Sequence, residues 1–186
     1  MQSYLITDRV FYTDTAAVFR TILHERFRKY LPDFALYRDK NNPHYANQAE
    51  HFLEVCAQFQ DVKGILHADV ALAHQLHAYG VHLTSRQFDK IEEAKKLGLF
   101  VIVSTHSETD ILEVKTLGAD AITYSPIFST PNKGNPKGLA DLKDIVGKMD
   151  IKIFALGGIT TEDQKRAVEA TGVYGFASIR YFTKNI

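Results

Sequence analysis

The chain has 186 residues, of which 22 are basic and 22 acidic, so its formal net charge at pH 7 is zero. That length suits a single domain, 1–186, and the balanced charge argues against nucleic acid or an anionic membrane as the main partner. The first residues lack the pattern of a signal peptide, no apolar run approaches the ~20 residues of a membrane span, and the lone Cys56 cannot form an intrachain disulfide, so we expect a cytoplasmic protein with Cys56 in its core.

One unit recurs along the chain: a short apolar run, a polar turn, an amphipathic helix and a glycine. The predicted strands are Tyr4–Thr7, Phe34–Arg38, Gly64–His67, Val81–Thr84, Phe100–Ser104, Ala121–Ser125, Lys152–Leu156 and Gly175–Ile179. They are nearly continuous apolar runs, which is typical of parallel strands buried on both faces. Eight such units favour a closed (β/α)8 TIM barrel over an open doubly wound sheet, because no glycine-rich fingerprint follows the first strand.

Helical patterns lie between the predicted strands. In one of them Tyr45, Ala49, Phe52, Cys56 and Phe59 recur at helical spacing, which predicts a single apolar face. A glycine just past a helix accepts the left-handed conformation that ends it, because it has no Cβ atom to clash. Four glycines are predicted to end helices in this way: Gly80, Gly98, Gly118 and Gly172.

Two helix starts and the last helix carry further signals. Ser107 with Asp110, and Thr160 with Asp163, resemble capping boxes in which Asp replaces Glu. Because the chain stops at Ile186, the last helix is expected to be short or missing. An apolar strip exposed by that absence would favour burial against another subunit, so a homo-oligomer is a possible assembly.

The polar residues just after each apolar run are the candidates for chemistry, because barrels of this type place their sites where strands end and helices begin. Those segments are rich in hydroxyl groups and cations. Arg38, Lys40 and Lys133 carry hydrogen-bond donors and no acceptor, which suits them to phosphate oxygens. The sequence therefore predicts a phosphorylated small molecule as the ligand.

Gly157 and Gly158 are the candidate phosphate anchor. They follow the seventh predicted strand and precede a helix start near Thr160, where backbone N–H groups and the helix dipole both favour an anion. Ser178 offers a hydroxyl group at the next strand end, and such barrels commonly bind phosphate between strands seven and eight. A tight turn without a ligand is the alternative explanation of the two glycines.

His106 is the candidate acid–base residue. It ends the fifth predicted strand, and a histidine can exchange a proton near neutral pH. The chain contains 8 histidines, so a surface or capping role is the alternative explanation.

Six segments of the chain, taken in order, resemble one known family. They are Tyr4-Leu5-Ile6-Thr7-Asp8, Arg38-Asp39-Lys40, Gly80-Val81-His82-Leu83, Val103-Ser104-Thr105-His106, Ser125-Pro126-Ile127-Phe128-Ser129-Thr130-Pro131-Asn132-Lys133 and Gly157-Gly158-Ile159. Their order and spacing make a specific signal that runs from Tyr4 to about Ile179. The chain thus resembles thiamine phosphate synthase and its relative TenI, the thiazole tautomerase.

The resemblance implies a barrel of thiamine biosynthesis that binds a thiazole phosphate. It implies that Gly157, Gly158 and Ser178 hold that phosphate. It also implies that His106 corresponds to the catalytic histidine of the tautomerase, although the synthase has a histidine there too.

A second anionic subsite is implied in the same way. In the synthase, the positions matched by Arg38, Lys40 and Lys133 hold the pyrophosphate of the pyrimidine substrate. Three further residues are included as candidates for substrate binding: Ser104 and Thr130, which lie within these segments, and His67, which ends the third predicted strand.

The departures from the synthase pattern concern the pyrimidine and the metal. Leu36 stands where the synthase has a glutamine that contacts the pyrimidine, and Ala68 and Gln87 stand where it has the two aspartates that carry Mg²⁺. Alanine offers no ligand and an amide is a weak one, whereas Asp69 and Asp89 are displaced by one or two residues. We therefore predict no metal and no other cofactor, with Mg²⁺ needed only if the chain is a synthase.

Three functions follow from these observations. The first is a metal-independent thiazole tautomerase that shifts a proton on a carboxythiazole phosphate. The second is a thiamine phosphate synthase that joins hydroxymethylpyrimidine pyrophosphate to thiazole phosphate, which the retained Lys40, Thr130 and Lys133 favour. The third is a non-catalytic sensor that has kept only the phosphate site.

Overall fold

The computed structural model describes residues 1–131 and 133–183. Its strands are β1 (Gln2–Ile6), β2 (Phe34–Tyr37), β3 (Lys63–His67), β4 (Gly80–Leu83), β5 (Phe100–Thr105), β6 (Ala121–Tyr124), β7 (Lys152–Leu156) and β8 (Gly175–Ser178). Each strand pairs in parallel with its neighbours in sequence, and β1 pairs with β8, so the sheet closes into a barrel. The predicted (β/α)8 barrel is confirmed, and every predicted strand overlaps an observed one.

The helices connect successive strands on the outside of the barrel. They are α1 (Arg9–Tyr12), α2 (Ala16–Tyr30), α3 (Tyr45–Cys56), α4 (Val70–Gln75), α5 (Ile91–Lys96), α6 (Glu108–Thr116), α7 (Gly138–Lys148) and α8 (Glu162–Glu169), with short 3-10 helices at Phe88–Lys90 and Arg180–Thr183. Of the residues that the structure describes, only this last 3-10 helix follows β8, in line with the expected short helix. Asn132, part of one family segment, and Ile186 lie outside the described residues.

The strands are mostly apolar because both of their faces are buried. In β2, for example, Phe34 and Leu36 belong to the cluster inside the barrel, whereas Ala35 and Tyr37 belong to the layer under the helices. Cys56 packs in the outer layer as a free, buried thiol, as predicted. Burial also raises the pKa of this thiol.

The helix-ending glycines are confirmed at three of the four predicted positions. Gly98, Gly118 and Gly172 have φ angles of 77°, 94° and 79°. The prediction for Gly80 was wrong, because this residue begins β4. A Cβ atom there would lie 2.1 Å from the carbonyl oxygen of Phe100, so the glycine is needed for strand contact rather than for a turn.

The two capping predictions have different outcomes. The box of Ser107 and Asp110 forms at the start of α6. At α8 the cap is one residue later than predicted, because Thr161 is the N-cap residue and Gln164 closes the box. Phe59, assigned to the apolar face of one helix, lies beyond the end of α3 but still packs against the outer core.

Helix length and exposed hydrophobic side chains bear on whether the protein could cross a membrane or pack against another subunit. None of the helices formed by residues 1–131 and 133–183 combines the length and apolar character needed to cross a bilayer. The most exposed large hydrophobic side chains include Val10 on α1, at 83%, and Leu31 after α2, at 69%. A homo-oligomer stays a prediction.

Candidate functional site

The C-terminal ends of the strands surround a cavity of about 290 Å³. It is lined by eight of the residues predicted from the sequence: Arg38, Lys40, His67, Ser104, His106, Thr130, Lys133 and Gly157. A second cavity of about 250 Å³ adjoins it and contains Gly158 and Ser178. The structure therefore brings all the predicted site residues to one mouth of the barrel.

Two larger cavities, of about 670 and 720 Å³, lie at the opposite end. They are lined by residues near the N-terminal ends of strands, such as Lys152 and Lys63, and by none of the predicted site residues. Barrels of this type carry their chemistry at the C-terminal face, so the cavities of about 290 and 250 Å³ form the candidate site. Below, "the larger cavity" means the one of about 290 Å³.

The turn after β7 is shaped by packing as well as by any ligand. Gly157 and Gly158 have φ angles of 102° and 71°, a conformation that side chains disfavour. A Cβ atom on Gly158 would lie 2.7 Å from the Cβ atom of Phe128, and Phe128 N–H donates to the Gly157 carbonyl oxygen at 3.0 Å. The tight-turn explanation thus accounts for both glycines without a ligand, and an anion-binding role needs separate support.

That support comes from free backbone donors. Among the described residues, the N–H groups of Gly158, Ile159 and Arg180 have no hydrogen-bond acceptor. The N–H groups of Thr160 and Thr161 are already satisfied by the side-chain oxygen of Gln164, at 2.8 and 3.0 Å. The Gly158 and Ile159 donors lie just ahead of α8, where the helix dipole also favours an anion, and the Arg180 donor follows β8.

Ser178 lies in this part of the site, but its hydroxyl group is occupied. Its Oγ donates to the carbonyl oxygen of Ile159 at 2.7 Å and accepts from Tyr181 N–H at 3.1 Å. The hydroxyl group has one proton, so in this structure it holds two loops together and does not donate into the cavity.

Four cations meet at the other side of the mouth. Arg38, Lys40 and Lys133 line the larger cavity, and Arg86 is near enough to act on Lys40. The pKa of Lys40 is lowered, chiefly by Arg38 and then by burial, Lys133 and Arg86. None of the four forms a salt bridge within residues 1–131 and 133–183. A cluster of unpaired cations favours an anionic ligand.

His106 directly follows β5, is exposed, and lines the larger cavity. Its Nδ1 atom lies 3.2 Å from the carbonyl oxygen of Ser125. A carbonyl oxygen can only accept, so this contact favours a proton on Nδ1 and a lone pair on Nε2; the Ser125 hydroxyl oxygen lies farther from Nδ1, at 3.5 Å. The backbone N–H of His106 also donates to Asp110 at 2.8 Å, so the residue takes part in capping α6 as well.

The positions of the two synthase aspartates are joined by a neutral hydrogen bond. The Gln87 side-chain amide donates through Nε2 to the Ala68 carbonyl oxygen at 2.9 Å. Its oxygen accepts from the N–H and hydroxyl groups of Thr84, at 3.1 and 3.0 Å. Asp69 caps α4, and neither Asp69 nor Asp89 lines the larger cavity. Among the described residues, no group of three or more His, Cys, Asp or Glu side chains could hold a metal ion.

The floor of the cavity contains buried groups that sequence reasoning did not name as site residues. His82 lines the cavity and contacts Tyr4, which is fully buried inside the barrel. Burial lowers the pKa of His82 to about 3, with smaller contributions from His67 and Arg38, and it lowers the pKa of His67 to about 4, with smaller contributions from Arg38 and Lys40. Both imidazoles are therefore neutral at pH 7. The available signal was a histidine within an otherwise apolar strand.

Comparison with known proteins identifies one family over nearly the whole chain. The family model described as "Thiamine monophosphate synthase" (TMP-TENI) matches residues 3–182. A "Putative thiamine-phosphate synthase 2" of Aquifex aeolicus is 38% identical over 117 residues, which is 61% of this chain and 61% of that protein. A "Thiamine-phosphate synthase" of Pediococcus pentosaceus is 30% identical over 155 residues, 80% of this chain and 71% of that protein.

Solved structures extend the likeness to the whole barrel. The thiamine phosphate pyrophosphorylase from Pyrococcus furiosus superposes with a TM-score of 0.80 at 27% identity, covering 96% of this chain and 85% of that one. An N-acetylmannosamine-6-phosphate 2-epimerase from Clostridium perfringens reaches a TM-score of 0.74 at 12% identity, covering 98% and 86% of the two chains, which supports the fold alone.

Proposed function

Because the chain belongs to the thiamine monophosphate synthase family (TMP-TENI), we propose that it binds a thiazole phosphate at the mouth of its barrel and shifts a proton on the ring without a metal. Membership of this family supports a role in thiamine biosynthesis. The choice of reaction within the family rests on the local geometry.

The phosphate group of the ligand is assigned to the mouth beside β7 and β8. Three features support this assignment: the free N–H groups of Gly158, Ile159 and Arg180, the start of α8, and the absence of side chains on the turn. Ser178 contributes by holding Ile159 in place rather than by donating to the phosphate. A phosphate anchored there would orient the ring inside the larger cavity, next to His106.

The observation that carries the metal-independent reaction is the hydrogen bond between Gln87 and Ala68. The residues at these two positions do not fit Mg²⁺, which prefers carboxylate oxygens. The amide oxygen of Gln87 is already engaged by Thr84, so it has no free direction toward the cavity. A proton shift needs no metal, whereas a pyrophosphate leaving group commonly relies on one.

His106 is the proposed catalytic residue. Its Nε2 lone pair accepts a proton from the thiazole ring, and the imidazolium that results returns a proton to another ring atom. The Ser125 carbonyl oxygen keeps the imidazole in the required tautomer during this cycle. The net reaction is an isomerisation of the ring to its aromatic form.

Thiamine phosphate synthase is the second candidate. The names of the relatives favour it over the tautomerase. The unpaired Arg38, Lys40 and Lys133 also favour it, because they could neutralise a pyrophosphate leaving group. The altered metal positions are the evidence against it.

One set of incubations separates these functions. The purified protein is offered each thiazole phosphate isomer, with and without hydroxymethylpyrimidine pyrophosphate and Mg²⁺, and the products are identified by mass spectrometry and NMR. We expect isomerisation that is unchanged by EDTA. Joining of the two rings only in the presence of Mg²⁺ would favour the synthase, and tight binding without any product would favour a sensor.

A further inference from the structure

Three side chains form a hydrogen-bonded row from the barrel interior to the cavity. Tyr4 Oη lies 2.9 Å from His82 Nδ1, and His82 Nε2 lies 3.0 Å from Ser104 Oγ. Tyr4 has no exposed surface, His82 is 4% exposed, and Ser104 lines the cavity. The row therefore has one buried end and one end that faces the ligand.

The buried end fixes the direction of every hydrogen bond in the row. Among the described residues, the Tyr4 hydroxyl group has no partner other than His82 Nδ1. If Nδ1 carried the imidazole proton, Tyr4 would have to accept, and its own proton would be buried without an acceptor, which is costly. Tyr4 therefore donates to Nδ1, and Nε2 carries the proton of the neutral imidazole.

The same logic continues to Ser104. His82 Nε2–H donates to Ser104 Oγ, so the serine oxygen accepts a hydrogen bond from the barrel interior. Ser104 Oγ has no other partner within the described residues, which leaves its own proton free to point into the cavity. The neutral state of His82 is secure, because burial lowers its pKa to about 3 and raises the pKa of Tyr4 well above the usual value.

We infer that Tyr4 and His82 are positioning residues that hold the Ser104 hydroxyl group as a hydrogen-bond donor to the ligand, so that the floor of the barrel selects ring ligands with an acceptor at that point. The inference rests on the proposed function for the choice of ligand only. A site with a fixed donor discriminates strongly against ligands that present another donor there, because two groups are then left unpaired.

The tautomer of His82 is the most direct test. In protein labelled with ¹⁵N in its histidine rings, long-range ¹H–¹⁵N spectra distinguish a protonated from an unprotonated Nδ1 atom. We expect unprotonated Nδ1 and protonated Nε2 for His82 in the free protein, and an Nδ1–H population after Tyr4→Phe. A wild-type protein with Nδ1–H would overturn the inference. This measurement needs no ligand, so it stands even if the thiazole phosphate assignment fails.

Binding of carboxythiazole phosphate, followed by calorimetry, tests the action through Ser104. Ser104→Ala should weaken binding about tenfold, since a hydrogen bond to the ligand is lost. Tyr4→Phe should weaken it about two- to fivefold, because part of the population then has the wrong tautomer. Tyr4→Phe added to Ser104→Ala should cause no further loss, and additive losses would overturn the inference.

Tyr12→Phe is the matched control. Tyr12 is also buried, at 1% exposure, its hydroxyl group has no partner in the described residues, and it lies in the outer core away from the cavity. This variant should leave the affinity and the His82 spectrum unchanged. Inorganic phosphate should bind equally to all of these variants, because its proposed donors are backbone groups beside β7 and β8. Loss of phosphate binding in wild type would count against the proposed function and not against the row.

Discussion

Beside β7 and β8 the barrel mouth offers backbone N–H groups, whereas beside β2 to β4 it offers side chains. The first region is fixed by the packing of Gly157 and Gly158 on the neighbouring loop. The second region holds Arg38, Lys40 and His67, and a single substitution can change the chemistry of each of these side chains. The turn after β7 therefore depends on backbone packing, whereas the chemistry of the opposite side depends on which side chains are present, as Ala68 and Gln87 show.

The largest expected effect separates chemistry from both anchoring regions. His106→Asn removes the proposed proton carrier, and turnover of the thiazole isomer should fall by about 10²- to 10⁴-fold. Affinity for inorganic phosphate should stay the same, because the phosphate donors are elsewhere. Steady-state kinetics and calorimetry measure the two quantities. Unchanged turnover would contradict the assignment of His106.

A substitution in the turn after β7 tests how strongly packing fixes the backbone region. Gly158→Ala adds a Cβ atom 2.7 Å from that of Phe128 at a φ angle of 71°, so the free energy of unfolding should fall by about 2–4 kcal/mol. The control is Gly147→Ala in α7, where nothing lies within 4 Å, and which should raise stability by about 0.5–1 kcal/mol. Urea titrations measure both. Equal effects would show that packing does not fix the turn.

Acid should destabilise the folded protein through His67 and His82, which line the larger cavity on the side-chain side of the mouth. The folded pKa values of His67 and His82, about 4 and 3, lie below the ordinary value of 6.5. The unfolded chain therefore binds more protons below pH 6.5, and stability is lost as the pH falls from there toward 4. We expect a loss of about 1.4 kcal/mol per pH unit for each histidine. Urea unfolding between pH 7 and 4.5 measures this loss. The His67→Gln variant should lose about 1.4 kcal/mol per pH unit less than the wild type, because one of the two histidines is gone.

The smallest effect concerns a single cation. Lys40→Gln should weaken binding of inorganic pyrophosphate about fivefold and reduce its dependence on salt, because one exposed charge is lost. Lys143→Gln, an exposed lysine of α7 that lines neither cavity, is the matched control and should have no effect. If both variants behave alike, the cation cluster is not a binding region.

The sequence predicted the barrel and the position of the site because both depend on repeated, local patterns. Apolar runs mark strands, and the residues after them must meet at one mouth. Details that depend on tertiary contact were not predictable. Tyr79-Gly80 and Leu97-Gly98 look alike in sequence, yet Gly80 is needed for its contact with β5 and Gly98 for a left-handed turn.

The same limit applies inside the site. Ser178 was correctly placed at the mouth, but that its proton is given to Ile159 depends on a loop 19 residues away in sequence. Tyr4 and His82 are 78 residues apart, and only closure of the barrel brings them together. Which group donates and which accepts depends on contacts inside the folded barrel, so no local sequence pattern predicts it.

The pairing of β1 with β8 has a consequence for how the protein is made. Ribosomes release the chain from its N-terminus, so Gln2 emerges long before its partner Gly175 exists. A nascent chain that reaches only residue 150 has His106 and the cation cluster, but lacks both the N–H donors and the strand that seals the ring. The strand that closes the barrel and the proposed phosphate donors are therefore synthesised close together in the chain, so a barrel that has not closed also lacks part of its proposed phosphate site.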